Sequence, residues 1–322
     1  MEVAKKRKLK FEMRGNLSIL MGLIALCVFF SIASDKFLTT NNLVNMLLQV
    51  SNVGIVAIGG MFVILTGGID LSAGSMTALL GLLMAGFCVD NGFAVPIAIL
   101  LGFVIGIGLG LINGLSVTRL RLSAFIVTLA MQSMLRGLSN VYSMGTTIYG
   151  MPKSFNIVGG GMVFGIPFPV ILLIALFIIA HFVLSKTVFG HQVYAVGGNR
   201  EAAYLAGINV KRVELTTYLI AGGLTAVAAL VLTGRLAAAL PTAAEGLEFS
   251  AISAIVIGGG SLSGGKGNMM GTFIGVLIIG VLNNGLNLLN ISPFWSQFAQ
   301  GLIIFIAVLI DALNQRRIHD KG

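Results

Sequence analysis

Apolar runs about 20 residues long recur along the whole chain, broken only by short polar or glycine-rich turns. A helix of that length crosses the ~30 Å hydrocarbon core of a bilayer, and a backbone in that core must satisfy its own hydrogen bonds, as a helix does. The pattern predicts ten spans, roughly 16–34, 43–66, 72–89, 93–117, 123–143, 166–185, 213–233, 249–262, 268–289 and 294–313. The expected fold class is all-α: a polytopic membrane protein of about ten transmembrane helices, forming one domain over residues 1–322. Only 10% of the residues are charged, against about a quarter in soluble domains. The eighth segment is short and ends in Gly258-Gly259-Gly260, so a re-entrant segment competes there with a full crossing. Basic residues precede Leu17 to Ala33 as they would in a signal peptide, but the run exceeds the usual ~7–15 apolar residues, so an uncleaved first span is expected.

The formal net charge of +9 raises the prospect of a nucleic-acid partner, and its placement removes it. On a topology with an even number of spans, sixteen of the twenty Lys and Arg residues fall on one side. Lys36, Lys153 and Arg235 fall on the other, and Arg136 lies inside the fifth span. The richer side is cytoplasmic by the positive-inside rule. That side holds the basic tail 1–15, the loop 186–212 and the tail 314–322, so both termini are expected in the cytoplasm. Cys27 and Cys88 sit in apolar runs, and the three histidines share no ligand spacing, so no metal site is expected.

The loop 186–212 is the longest charged interruption. Within it, Asn199 is a good N-cap, Glu201 sits in the first turn, Ala202, Ala203 and Ala206 form a small-residue face, and Gly207 stops the helix. Two turns are marginal alone in water, so this helix needs a surface to lean on. A short docked element between spans is a natural handle for a soluble partner.

Three spans carry polar residues at helical spacing. These are Asn45, Gln49 and Asn52 in the second, Gln132, Arg136 and Asn140 in the fifth, and Asn283 and Asn287, with Asn284 and Asn290, in the ninth. Lipid offers them no partners, so they face protein or water. Two readings follow: interhelical hydrogen bonds, or a water-lined path toward the outer half for a neutral polar solute. Arg136 is expected to pair with Glu245 or Glu248. The fourth span carries Gly102, Gly106, Gly110 and Gly114, a bare face for close helix packing.

No catalytic constellation stands out. Gly260 to Lys266 fits a phosphate-loop pattern, but Gly267 follows where Ser or Thr should hold magnesium. No carboxylates lie deep in the spans for proton coupling, so any energy source belongs to another chain.

Several stretches together carry a family resemblance. They are Ile64 to Ser72, Ala124 to Leu129, Leu135-Arg136-Gly137, Gly197 to Val210, Gly259 to Gly267 and Leu282 to Leu289. Over nearly its whole length the chain resembles the membrane permease subunit of ATP-binding-cassette monosaccharide importers, of the ribose permease type. It departs from the usual Ser-Gly-Ile-Asp-Leu-Ser-Val-Gly pattern at Gly67 and Ala73. The resemblance implies a permease of the bacterial inner membrane, embedded in lipid and working as a homodimer. Its partners would be a cytoplasmic ATPase and an external sugar-binding protein, with ribose the first expectation for the sugar. It assigns Asn199, Arg200, Glu201, Ala202, Ala203, Ala206 and Gly207 to coupling with the ATPase. The chain would itself be no enzyme and bind no cofactor, ATP and Mg being held by the partner. A secondary sugar transporter or facilitator is the alternative.

Overall fold

The computed structural model describes residues 2–319, with side chains described for 17–309. The side chains of the two tails, 1–15 and 314–322, and of Asp311 lie outside these. The elements run α1 (Glu2–Ala33), α2 (Thr40–Leu65), α3 (Ala73–Val89), α4 (Val95–Thr118), α5 (Ala124–Ser143) and α6 (Lys153–Gly160). A small antiparallel hairpin follows, β1 (Met162–Val163) with β2 (Ile166–Pro167). Then come α7 (Phe168–Lys186), α8 (Val188–Gly198), α9 (Arg200–Leu205), α10 (Val210–Leu236), α11 (Leu247–Ile257), α12 (Met269–Leu288) and α13 (Pro293–His319).

Each of the ten apolar segments holds a helix, the eighth only as far as Ile257. Among the described residues, α2, α4, α7, α10 and α12 are long and apolar enough to cross a membrane, while α3 and α11 are shorter apolar helices. In α5 the polar stripe dilutes an otherwise apolar 20-residue helix. With 11 residues, α11 rises about 16 Å at 1.5 Å per residue, half the ~30 Å hydrocarbon thickness. It is buried along most of its length, which shields the irregular backbone at its ends. Polar caps set several boundaries: Thr187 Oγ1 accepts from the Gly190 amide, Asn209 Oδ1 from Arg212, and Asn268 Oδ1 from Gly271.

The most enclosed span is α2, packed by α7, α10, α11 and α12. The bare face of α4 meets α10 as its spacing predicts. A Cβ on Gly106 would press on the Gly222 carbonyl and Ala226, and one on Gly110 would overlap the Tyr218 carbonyl. Backbones that approach this closely gain dispersion contacts that bulky side chains would prevent.

The chain is non-helical in two partly buried places, 66–72 between α2 and α3 and 258–268 between α11 and α12. In the first, Ser72 donates to Asp70 through both its amide (2.9 Å) and its hydroxyl (2.6 Å). Asn113 donates to Ser72 Oγ at 3.0 Å and Thr128 to the Ile69 carbonyl at 3.0 Å, tying the break to α4 and α5. The two breaks meet at the end of α8. The Gly265 amide donates to the Leu65 carbonyl at 2.9 Å, and Tyr194 of α8 donates to the Gly267 carbonyl at 2.9 Å. A side chain on Gly197 would overlap both the Leu65 carbonyl and the Gly265 amide, so three backbones touch there directly.

Candidate functional site

At this junction the chain leaves α8 and forms α9. The backbone of Asn199 is extended (φ −158°) and its side chain accepts from the Ala202 amide at 2.9 Å. At the other end Gly207 adopts φ +83°. Its amide donates to the Tyr204 carbonyl, and the Ile208 amide donates to the Ala203 carbonyl. These two bonds satisfy carbonyls a helix end leaves orphaned. The surface it leans on is met by Ala203, which is buried, while Ala202 and Ala206 are exposed. The small-residue face is therefore not buried as a unit. Tyr204 and Leu205 are 71% and 79% exposed.

Arg200 Nη2 lies 2.9 Å from Glu214 Oε2, joining α9 to the first turns of α10. An exposed ion pair contributes only about 0–1 kcal/mol, but Glu214 is largely buried, so the bond fixes α9 in angle more than it stabilises the fold. Beside it opens a cleft of about 970 Å³ lined by Thr66, Gly67, Arg121, Glu201, Tyr204 and Tyr218 among others.

A different cavity, of about 360 Å³, lies toward the opposite end of α2. Gln49, which lines it, stands 16 residues before Leu65, about 24 Å along the helix. Asn283 and Asn287 of α12 also line it, so two of the three polar stripes converge. The other lining side chains include Glu245 and Ser250 around the start of α11, and Phe294, Ser296, Gln297 and Gln300 of α13. The sequence reading assigned none of these four α13 residues. The signal was present, since Ser296, Gln297 and Gln300 interrupt an apolar run at helical spacing.

The remaining stripe residues lie elsewhere. Asn284 and Asn42 exchange hydrogen bonds of 2.8 and 2.9 Å, tying α12 to α2. Asn52 is buried with its Oδ1 unpartnered, and Asn45 is exposed. Asn140 bonds the Arg136 carbonyl within α5. Gln132 donates to Glu248 Oε1 at 2.7 Å. The expected pairing of Arg136 with Glu245 or Glu248 does not form. Its guanidinium donates instead to the carbonyls of Pro241 and of Ala243, the latter at 3.0 Å. The reason is local: the segment before α11 folds against α5 and presents carbonyls first, while Glu248 is already held one turn away by Gln132.

Continuous apolar helices thus join a polar cavity at one end to an ordered short helix with exposed apolar side chains at the other, as in a multi-pass membrane permease. The chain belongs to the family described as "Branched-chain amino acid transport system / permease component", whose model matches residues 42–308. It is 46% identical to the ribose import permease protein of Bacillus subtilis over 293 residues, 90% of this chain and 91% of that one. It is 40% identical to the ribose import permease protein of Escherichia coli K12 over 300 residues, 92% of this chain and 93% of the relative. An L-arabinose ABC transporter permease protein of Azospirillum brasilense is 37% identical over 309 residues, 95% of this chain and 91% of the relative. No solved structure matches it.

Proposed function

We propose that the chain is the permease subunit of an ATP-driven importer of a monosaccharide, with ribose as the first candidate. It sits in the bacterial inner membrane as about ten transmembrane helices in one domain over residues 1–322. The tails 1–15 and 314–322 and the loop 186–212 face the cytoplasm. It binds no ATP or magnesium itself. These belong to a cytoplasmic ATPase, while an external binding protein delivers the sugar and a second copy of the chain completes a homodimer in the lipid.

The observation that carries this reading is α9. A six-residue helix capped at both ends, held by an ion pair and exposing Tyr204 and Leu205, is a poor design for a mere connector. It suits a contact that a soluble partner covers, because exposed apolar side chains on a polar loop gain by burial. Arg200 ties this helix to α10 through Glu214, and the preceding α8 meets the end of α2 and the 258–268 break at Gly197. Asn199, Arg200, Glu201, Ala202, Ala203, Ala206 and Gly207 form or flank this element. The amides and the guanidinium of Asn45, Gln49, Asn52, Gln132, Arg136, Asn140, Asn283, Asn284 and Asn287 serve the translocation path, either by lining it or by holding its walls.

Reconstitution tests the reading. Liposomes carrying the chain with its ATPase and binding protein should accumulate ribose only when ATP is supplied. Equal uptake by the chain alone would instead make it a facilitator.

A further inference from the structure

We infer that the 360 Å³ cavity is a low-affinity holding site for an uncharged monosaccharide, with Gln297 and Gln300 of α13 supplying contacts. The inference rests on the permease reading above and adds to it a place, a set of side chains and a charge preference. Small-ligand cavities run from about 300 to 1,000 Å³, so this one suits a single small solute.

Its chemistry is that of a polyol. A sugar hydroxyl donates one hydrogen bond and accepts others, and amide side chains answer both needs. Asn283 lines the cavity, and its Oδ1 is buried without a protein partner, so this side chain has room to turn an amide group toward a hydroxyl. Ser250 Oγ donates to Gln300 Oε1 at 3.1 Å, which fixes the amide and leaves its Nε2 as the donor on offer. Gln297 is exposed on the same face of α13, and Phe294 at the rim is 78% exposed, an apolar surface for the C–H face of a sugar ring.

The lining holds one carboxylate, Glu245, and no Lys, Arg or His among the described residues. A phosphorylated sugar or a sugar acid would lose hydration there and meet a like charge with no cation to offset either. The cavity therefore disfavours net anions such as sugar phosphates and sugar acids. Much of its wall is open to solvent, so binding is weak and release is easy.

Saturation-transfer NMR on the full chain in nanodiscs, with D-ribose as the probe, tests this directly. Ribose ring protons should receive saturation, and D-ribose 5-phosphate should receive far less. Gln297→Leu, on an exposed position that cannot unfold the bundle, should weaken ribose binding about fivefold, the worth of one hydrogen bond. Gln300→Leu should weaken it further. In liposomes with the ATPase and binding protein, Gln297→Leu should slow ribose uptake. Wild-type ribose binding by both variants, or equal binding of ribose and its phosphate, would overturn the inference. If no monosaccharide in a panel were transported but ribose still saturated the cavity in a Gln297-dependent way, the parent reading would fail and the holding site would stand.

Discussion

Gly110 sets the distance between α4 and α10, because a methyl group there would run into the Tyr218 carbonyl. Gly110→Val should destabilise the protein by about 1–3 kcal/mol, the usual range for forcing volume into a packed contact. Gly108→Val, with nothing within 4 Å of its added Cβ, should be neutral. Thermal unfolding of the two variants in detergent compares them directly. Arg136 makes a second residue-scale case. Its removal as Arg136→Gln should cost about 1.5–3 kcal/mol per charged hydrogen bond lost, and the loop 237–246 should become the first segment to gain amide exchange. Exchange in that loop equal to wild type would show that the two carbonyl bonds are dispensable. Both residues were visible in the sequence, but only Gly110 could be placed correctly from it. A four-residue glycine repeat carries its geometry with it, whereas the partner of Arg136 depends on how a distant loop folds back.

At the scale of elements, the apolar segments were legible because burial in lipid imposes one length and one hydrogen-bonding solution. What was not legible was the short structure between them. The helix α6 and the β1–β2 hairpin lie in a glycine-rich loop with no periodicity to read, and α8 is a mixture of glycine, aromatic and polar residues. In α9 the ends were clear from Asn199 and Gly207, but the exposed pair Tyr204 and Leu205 was hidden behind the alanines. Those two residues give the sharper prediction. Tyr204→Glu with Leu205→Asp should weaken association with the ATPase at least about tenfold, since two buried anchors are worth more than 1.4 kcal/mol together. Co-purification and stimulated hydrolysis measure it, while thermal stability of the isolated permease should not change. Asn199→Ala should act more mildly, removing a cap worth about 0.5–2 kcal/mol and loosening the helix without changing its contact surface.

For the whole molecule, the sequence placed the chain in the bilayer and the structure shows which polar groups gather inside it. Gln49, Asn283 and Asn287 were anticipated as part of a path; the α13 wall was not, because a span that reads as apolar overall can still turn a polar edge inward. Orientation is open to a direct check. In a chain lacking Cys27 and Cys88, Leu205→Cys and Phe164→Cys place thiols on two exposed positions. An impermeant maleimide should label the residue-164 thiol in intact cells and the residue-205 thiol only after the membrane is breached. Labelling of residue 205 from outside would reverse the whole arrangement.

The meeting of Leu65, Gly197 and Gly265 has one more consequence. Side chains between moving parts act as cushions, swinging between rotamers and swallowing small displacements. Where main chain rests on main chain there is no such padding, so a shift of α8 by an ångström must shift both helix breaks by about as much. Whatever pulls on that helix is geared to the end of α2 and to the break after α11 without slack.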